Sequence, residues 1–87
     1  MKRAKLEIIR DILKIIQEHN GIRITPLIRK SNMSSERFKE YYGELIRKEF
    51  VKEIHLKGEK LISLTEKGSR FLEKYKMIIH FIEEFEL

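Results

Sequence analysis

Four side chains near the middle of the chain have the types and spacing needed to bind a polyanion. Ser34 and Ser35 come just before Arg37 and Lys39, at the start of an amphipathic helical segment. Arginine can donate two hydrogen bonds to guanine, and lysine commonly pairs with phosphate. We therefore predict that these side chains contact base edges or phosphates. The alternative is an ordinary solvated helix face on which the serines only cap the helix.

Basic side chains on the neighbouring segments extend this candidate site. Each one alone is a weak indicator, but together they lie on elements that would face the same ligand. Glu36 and Glu40 oppose such binding because they would repel phosphate, although glutamate can accept a hydrogen bond from cytosine. The additional candidates are Arg23, Arg29, Lys30, Arg47, Lys57 and Lys60, together with an N-terminal arm of Lys2, Arg3 and Lys5.

The elements expected to carry these residues form a helix-turn-helix between positions 25 and 48. Thr25 can cap a short helix. Pro26 suits the first position of that helix, because the N–H that proline lacks would be unpaired there in any residue. Asn32-Met33-Ser34 then makes a polar corner, with Ser34 as the next cap. Beyond the corner, apolar residues recur at the helical period, at positions 38, 41, 42, 45 and 46. Two helices joined in this way are typical of a helix-turn-helix.

The flanking segments complete the pattern of a winged helix. The first helix spans about residues 3–18, and its broad apolar arc requires two covering surfaces, the domain core and a second element. Residues 22–24 are β-prone and predict a short strand. Two strand-like runs, 50–56 and 60–64, flank Lys57-Gly58-Glu59. This arrangement predicts a β-hairpin, the wing.

The C-terminal segment predicts one more helix, which Thr65 caps. A helix of about 30 Å is longer than the small domain can cover. We therefore expect its proximal part to pack on the first helix and its distal part on a second copy of the chain. On this basis, residues 1–65 form a winged helix-turn-helix domain and residues 66–87 a coiled-coil-like dimerisation helix. The expected interface, spaced by four and three as in a coiled coil and broadened by Ile79, comprises Phe71, Tyr75, Ile78, Ile79, Ile82 and Phe85.

Composition limits the remaining classes of function. The chain has 87 residues, no cysteine and a net charge of +5. It is therefore one small domain without thiol chemistry, and its basic character fits polyanion binding. The three histidines lack metal-ligand spacing, and neither a phosphate-binding glycine loop nor a serine-nucleophile motif is present, so we expect no metal, cofactor or catalysis. No apolar run reaches membrane-spanning length and no signal peptide is evident, so a cytoplasmic, nucleoid-associated location is expected.

Several motifs resemble a family of small archaeal winged-helix proteins, which includes the ten-kilodalton "10a" chromatin-type DNA-binding proteins. The resemblance covers nearly the whole chain and implies a dimer, joined by an antiparallel coiled coil of the last helix, that binds duplex DNA. Glu49 departs from the pattern, since such sequences usually carry a glycine there to end the third helix, and the tail after Tyr75 is short for the family's coiled coil. The motifs are Lys5-Leu6-Glu7-Ile8-Ile9, Asn32-Met33-Ser34, Phe38-x-x-Tyr41, Leu64-Thr65-Glu66-Lys67-Gly68 and Phe71-Leu72-x-x-Tyr75.

These observations together predict a mainly α fold with a small β-hairpin, a winged helix-turn-helix with a long C-terminal helix. The expected function is that of a dimeric transcription regulator or small chromatin protein. Its third helix, about 34–48, would read the major groove of double-stranded DNA, and its wing, about 51–64, would grip the flank. The alternative is a winged helix that docks proteins within a larger assembly. Glu36 and Glu40, and the tail residues Phe81 and Phe85, favour that alternative.

Overall fold

The computed structural model describes residues 5–87 and has the element order that the sequence predicts, except that the short strand expected at 22–24 is a single bridge. Residues 5–87 form four helices and one antiparallel hairpin, so the fold is a winged helix-turn-helix with a long C-terminal helix. The start of the first helix at residue 3 and the basic arm of Lys2 and Arg3 lie outside the described residues. The elements are α1 (Lys5–His19), α2 (Ile24–Ser31), α3 (Ser35–Arg47), β1 (Val51–Leu56), β2 (Glu59–Leu64) and α4 (Glu66–Glu84).

Helix α1 is the centre of the core, because its apolar arc faces α2, β2 and α4 at once. The proximal part of α4 covers the second side of this arc, as the breadth of the arc predicts, through Phe71 and Leu72. Leu6 is the exception, since it remains 56% exposed. The buried core consists of Ile8, Ile9, Ile12, Leu13, Ile16, Ile22, Leu27, Phe38, Leu45, Val51 and Ile62.

The polar corner between α2 and α3 forms as the sequence predicts. Asn32 adopts left-handed backbone (φ 58°) and ends α2. The Ser34 hydroxyl accepts a hydrogen bond from the Arg37 N–H at 3.2 Å and caps α3. An Asn in this conformation costs less than most residues because its short polar side chain tolerates left-handed backbone. The corner therefore fixes where α3 begins.

The predicted start of α2 is wrong by two residues. Arg23, with extended backbone, occupies the cap position without a side-chain cap bond, and the helix begins at Ile24 instead of after a Thr25 cap. Pro26 consequently sits at the third helical position. It is tolerated there because the first four N–H groups of a helix have no intrahelical partner. The earlier start also shortens the predicted strand at 22–24 to a single bridge, in which Ile22 and Ile62 exchange two backbone hydrogen bonds of 3.0 and 2.7 Å.

The end of α3 has left-handed backbone at Glu49 (φ 59°), the position where the resemblance leads one to expect glycine. The Glu49 N–H donates to the Ile46 carbonyl at 3.0 Å, and the Phe50 N–H donates to the Leu45 carbonyl at 2.9 Å. These two bonds form a Schellman motif, in which the left-handed residue is usually glycine. A glutamate therefore occupies a backbone conformation that suits glycine.

The wing is a two-stranded antiparallel hairpin whose register runs from Val51 opposite Leu64 to Leu56 opposite Glu59. Its turn has two residues, Lys57 (φ 51°) and Gly58 (φ 78°), so Glu59 belongs to β2 and not to the loop. Positive φ at both central positions is the type I′ arrangement, whose twist matches that of the paired strands. The turn is thus one residue tighter than the sequence predicts.

Helix α4 starts at a cap that also closes the base of the wing. The Thr65 hydroxyl accepts a hydrogen bond from the Gly68 N–H at 3.0 Å and donates one to the Glu49 carbonyl at 2.5 Å. The Thr65 N–H donates to the Phe50 carbonyl at 3.1 Å. A Cβ at Gly68 would overlap the Phe50 carbonyl oxygen, so glycine is required for this close approach. The beginning of α4 is therefore fixed directly to the end of α3.

Candidate nucleic-acid interface

The exposed face of α3 is the centre of the candidate interface. Phe38 and Leu45 are fully buried, and a helix rotates by about 100° per residue, so the opposite side is the face directed away from the core. That side carries Glu36, Glu40, Gly43 and Arg47. Arg37 and Lys39 lie on its two opposite flanks, and both are exposed. Along the first half of α3, the middle of the exposed face is therefore acidic, and one basic side chain lies on each side of it.

Two side-chain bonds hold α3 between α1 and the wing. On one flank, Lys5 Nζ lies 2.7 Å from Glu44 Oε1. This hydrogen bond lowers the pKa of the Glu44 carboxyl below its ordinary value. On the other flank, the Tyr42 hydroxyl donates to Glu53 Oε2 of β1 at 2.6 Å. The sequence places Lys5 in a DNA-contacting arm, whereas in the structure its ammonium pairs with Glu44.

Most of the basic candidates remain available to a ligand. Arg29 and Lys30 occupy the last turn of α2, and Lys57 lies at the tip of the wing. Two others have acidic neighbours: Arg23 lies 3.6 Å from Glu59 and Lys60 lies 3.4 Å from Glu53. Exposed pairs of this kind contribute at most about 1 kcal/mol, so a phosphate can replace the carboxylate. Within residues 5–87, no ion pair involves Arg29, Lys30, Arg37, Lys39, Arg47 or Lys57.

The two serines have different surroundings. Ser34 uses its hydroxyl oxygen to cap α3, as one of the two alternatives predicts, and Ser35 is exposed at the first helical position. Contact of either serine with a ligand stays a prediction, as it does for the basic candidates.

One contact of the candidate interface was not predicted. The hydrogen bond between Tyr42 and Glu53 joins α3 to the wing, and burial together with this bond raises the pKa of the Tyr42 phenol. A signal was present in the sequence, because the alternation of β1 places Glu53 on the same side as the buried Val51. An acid on that side of the strand can accept a hydrogen bond from a side chain of α3.

The residues proposed for the dimer interface fall on two sides of α4. Phe71, Tyr75, Ile79 and Ile82 are half-buried on the side of α1, where the Arg10 guanidinium lies 5.4 Å from the centre of the Tyr75 ring. The other side is uncovered. There Ile78 is 55%, Phe81 55% and Phe85 57% exposed, and the two phenylalanine rings are 4.9 Å apart. Phe81, which is not among the residues of the predicted interface, thus belongs to the exposed side.

An open groove of about 590 Å³ runs between α1 and α4, lined by both basic and acidic side chains. None of the helices described in residues 5–87 is long and apolar enough to cross a membrane. In the same part of the chain, no group of three histidine, aspartate or glutamate side chains is placed to hold a metal ion.

Comparison with known proteins places this architecture in a family. Residues 2–83 match the winged helix-turn-helix family. No significant match was found among curated proteins. Among solved structures, SSV1 F-93 is 31% identical, with a TM-score of 0.72 over 98% of this chain and 97% of its own. Sso10a-2, a DNA-binding protein from Sulfolobus solfataricus, is 21% identical, with a TM-score of 0.77 over 97% of this chain and 86% of its own. The chain belongs to the winged helix-turn-helix family.

Proposed function

We propose that this protein binds double-stranded DNA, as a transcription regulator or a small chromatin protein. The observation that carries the proposal is the exposed face of α3 within a winged helix-turn-helix. Its flanks bear Arg37 and Lys39, for which the described part of the chain, residues 5–87, offers no ion pair. The fold it shares with Sso10a-2, itself a DNA-binding protein, supports the same conclusion. A net charge of +5 favours a polyanionic partner.

In the proposed complex, α3 enters the major groove, which is wide enough to admit a helix. Arg37 is placed to bind guanine or phosphate on one flank, and Lys39 to bind phosphate on the other. Because Glu36 and Glu40 lie between them, the helix does not attract phosphate uniformly along its length. This arrangement favours selective over indiscriminate binding, since the acids are tolerated only where a base edge such as cytosine N4 meets them.

The remaining basic candidates would contact the DNA backbone around that central contact. Arg29 and Lys30 at the end of α2, with Arg23 just before it, would hold a phosphate beside the groove. Lys57 and Lys60 on the wing would meet the adjacent backbone or minor groove. These contacts add affinity without adding much sequence information, and the protein is expected to associate with the nucleoid.

We further propose that two copies join through α4, with residues 66–87 as the dimerisation element. The support is the uncovered side of that helix, where Ile78, Phe81 and Phe85 are each more than half exposed. Apolar side chains adjacent along one helix face lower their free energy by packing against a partner. The resemblance favours an antiparallel pairing. Such a dimer would place two α3 helices on one duplex and link two half-sites.

A second function, docking onto another protein, has specific support as well. Glu36 and Glu40 at the centre of the α3 face weaken attraction to phosphate, and the exposed side of α4 could cover an apolar surface of a different partner. A monomer that binds no DNA and still exposes α4 would favour this function over the first.

The experiment that tests DNA binding is fluorescence anisotropy of a labelled mixed-sequence duplex, repeated across a salt series. We expect log K to fall linearly with log salt, with a slope of about −4 or steeper, which corresponds to roughly five neutralised phosphates. Combined reversal of Arg37, Lys39 and Lys57 to glutamate should weaken binding and flatten the slope. Lys14→Glu, a single charge reversal on the exposed side of α1, is the control for the single reversals Arg37→Glu, Lys39→Glu and Lys57→Glu. Each of these three should reduce the magnitude of the slope by about one unit, whereas Lys14→Glu should change it by clearly less.

Absence of binding at low salt would leave two explanations, a narrow sequence requirement or the docking function. Selection from a random-sequence duplex pool separates them. If no sequence is enriched, the DNA-binding proposal is wrong.

A further inference from the structure

Three polar side chains form a chain of contacts between α3 and the wing, which we call the helix–wing network. The Tyr42 hydroxyl of α3 donates to Glu53 Oε2 of β1 at 2.6 Å. The same carboxylate oxygen lies 3.4 Å from Lys60 Nζ of β2. Lys60 is paired with His55 across the hairpin, so its contact with Glu53 is the diagonal one that antiparallel strands allow. The network thus includes both strands of the wing and one residue of α3.

The position of the network is where β1 leaves the core. Val51 is buried at the base of the strand, and every later residue of β1 is exposed. Beyond Val51, therefore, β1 has no buried apolar side chain to hold it against α3. The hydrogen bond from Tyr42 is made to Glu53, the next residue of β1 on the same side of the strand as Val51.

The geometry of Tyr42 makes this contact directional. Its ring stacks on the buried Phe38 ring at a centroid distance of 5.7 Å and an interplanar angle of 16°. The hydroxyl is therefore held in one place relative to α3. The hydrogen bond from Tyr42, followed by the charge of Lys60, lowers the pKa of the Glu53 carboxyl, so the acceptor is ionised at neutral pH. Hydrogen bonds to an ionised acceptor are roughly twice as strong as neutral ones.

We propose that Tyr42 and Glu53 are positioning residues that set the orientation of the wing relative to α3, and so determine whether Lys57 and Lys60 reach DNA while α3 is in the groove. The proposal rests on the DNA-binding function proposed above. It assigns to Tyr42 a role that neither its burial nor its stacking requires, because a phenylalanine would satisfy both. It also makes the wing contact dependent on a hydroxyl that lies on α3 and that need not touch DNA.

A double-mutant cycle tests this dependence. Tyr42→Phe removes one hydroxyl and keeps the stacked ring, and Lys57→Gln removes the charge at the wing tip. If the network positions the wing, Lys57→Gln weakens DNA binding in the wild type and has a smaller effect when Tyr42 is already phenylalanine. We expect the two effects to differ by about threefold, which is at the weak end for residues acting through one network. Tyr41→Phe, the same change at the neighbouring residue, is the control and should leave the effect of Lys57→Gln unchanged.

Hydrogen exchange of the free protein supplies a readout that does not involve DNA. Tyr42→Phe should increase the exchange of β1 and β2 amides near the wing tip, with no change in the α1 amides that report global stability. Glu53→Gln keeps an acceptor for the Tyr42 hydroxyl and should increase exchange less than Tyr42→Phe does. Equal exchange in the wild type and Tyr42→Phe would overturn the proposal.

The outcomes for the two proposals are distinguishable. If the wild type fails to bind any duplex, the proposed function is wrong and the positioning role falls with it. If the wild type binds and Lys57→Gln weakens binding by the same factor in both backgrounds, the DNA-binding function stands and the helix–wing network does not position the wing. A reduced effect of Lys57→Gln in the Tyr42→Phe background, together with faster wing exchange, supports the proposal.

Discussion

Glutamate at position 49 should make the protein less stable than glycine would, because this residue ends α3 with left-handed backbone (φ 59°). That conformation costs a residue with a Cβ about 1–2 kcal/mol. Glycine relieves the cost but makes the unfolded chain more flexible, which offsets about 0.5–1 kcal/mol. Glu49→Gly should therefore raise the free energy of unfolding by about 0.5–1 kcal/mol. For a domain of this size, the melting temperature should rise by roughly 2–8 °C.

The assay is urea unfolding followed by circular dichroism, with thermal melts alongside. Glu49→Gln is the matched control, because it keeps the backbone cost and removes only a negative charge near the C-terminal end of α3, where that charge is unfavourable. Glu49→Asn should fall between Gln and Gly, since asparagine tolerates left-handed backbone better. The hydrogen bond from Thr65 is made to the Glu49 carbonyl and is present in all variants. A glycine variant no more stable than the glutamine variant would refute the reasoning.

Three further predictions concern the rest of the molecule. Gly68→Ala should lower the free energy of unfolding by about 1–3 kcal/mol, because its Cβ would overlap the Phe50 carbonyl. Gly43→Ala should raise the free energy of unfolding by up to about 1 kcal/mol, since its Cβ meets only the flexible end of Arg47. Urea titrations of both variants check these two effects. Combined Ile78→Glu and Phe85→Glu should weaken self-association at least tenfold in analytical ultracentrifugation, without loss of the helical circular dichroism signal. Leu56, an exposed apolar residue on the wing, provides the control: an equal effect of Leu56→Glu would contradict a specific α4 interface. The pKa of Glu53 is lowered in the folded state, so its contribution to stability is present above about pH 4.5 and is lost as the pH falls through the lower folded pKa. The free energy of unfolding, measured from pH 7 to pH 3, should therefore decline less steeply in Glu53→Gln than in the wild type.

The order of elements could be predicted from the sequence because each boundary has a local chemical cause. Ser34 and Thr65 are hydroxyl caps, Asn32 tolerates left-handed backbone, and Gly58 suits a tight hairpin turn. These residues act within their own turn of chain, so neighbouring sequence is enough to reveal them. The resemblance to a winged-helix family was likewise confirmed by the match over residues 2–83.

What the sequence could not predict depended on contacts between distant segments. The strand predicted at 22–24 is reduced to one bridge between Ile22 and Ile62, forty residues further along the chain, and α2 begins at Ile24. Lys5, a candidate for the DNA-contacting arm, pairs instead with Glu44, which is thirty-nine residues away in the sequence. The predicted interface residues of α4 lie partly on a covered side and partly on an uncovered side of the helix, because α1 packs against only one side of α4. Which candidates contact DNA stays a prediction, because a surface charge has the same local signature whether it binds phosphate or water.

The contacts of Thr65 have a consequence for how the wing can vary. Its bonds to Glu49 and Phe50 bring the two ends of the hairpin together at the base, so the chain enters and leaves the wing at one point. A segment closed in this way can be lengthened at its tip with little effect on the helices, because the entropy cost of a longer loop grows only logarithmically. Cleavage of the Lys57–Gly58 bond would likewise leave both halves held to the same core. The wing is therefore the part of this protein in which reach and charge can change through insertion or deletion while α3 and α4 keep their relative positions.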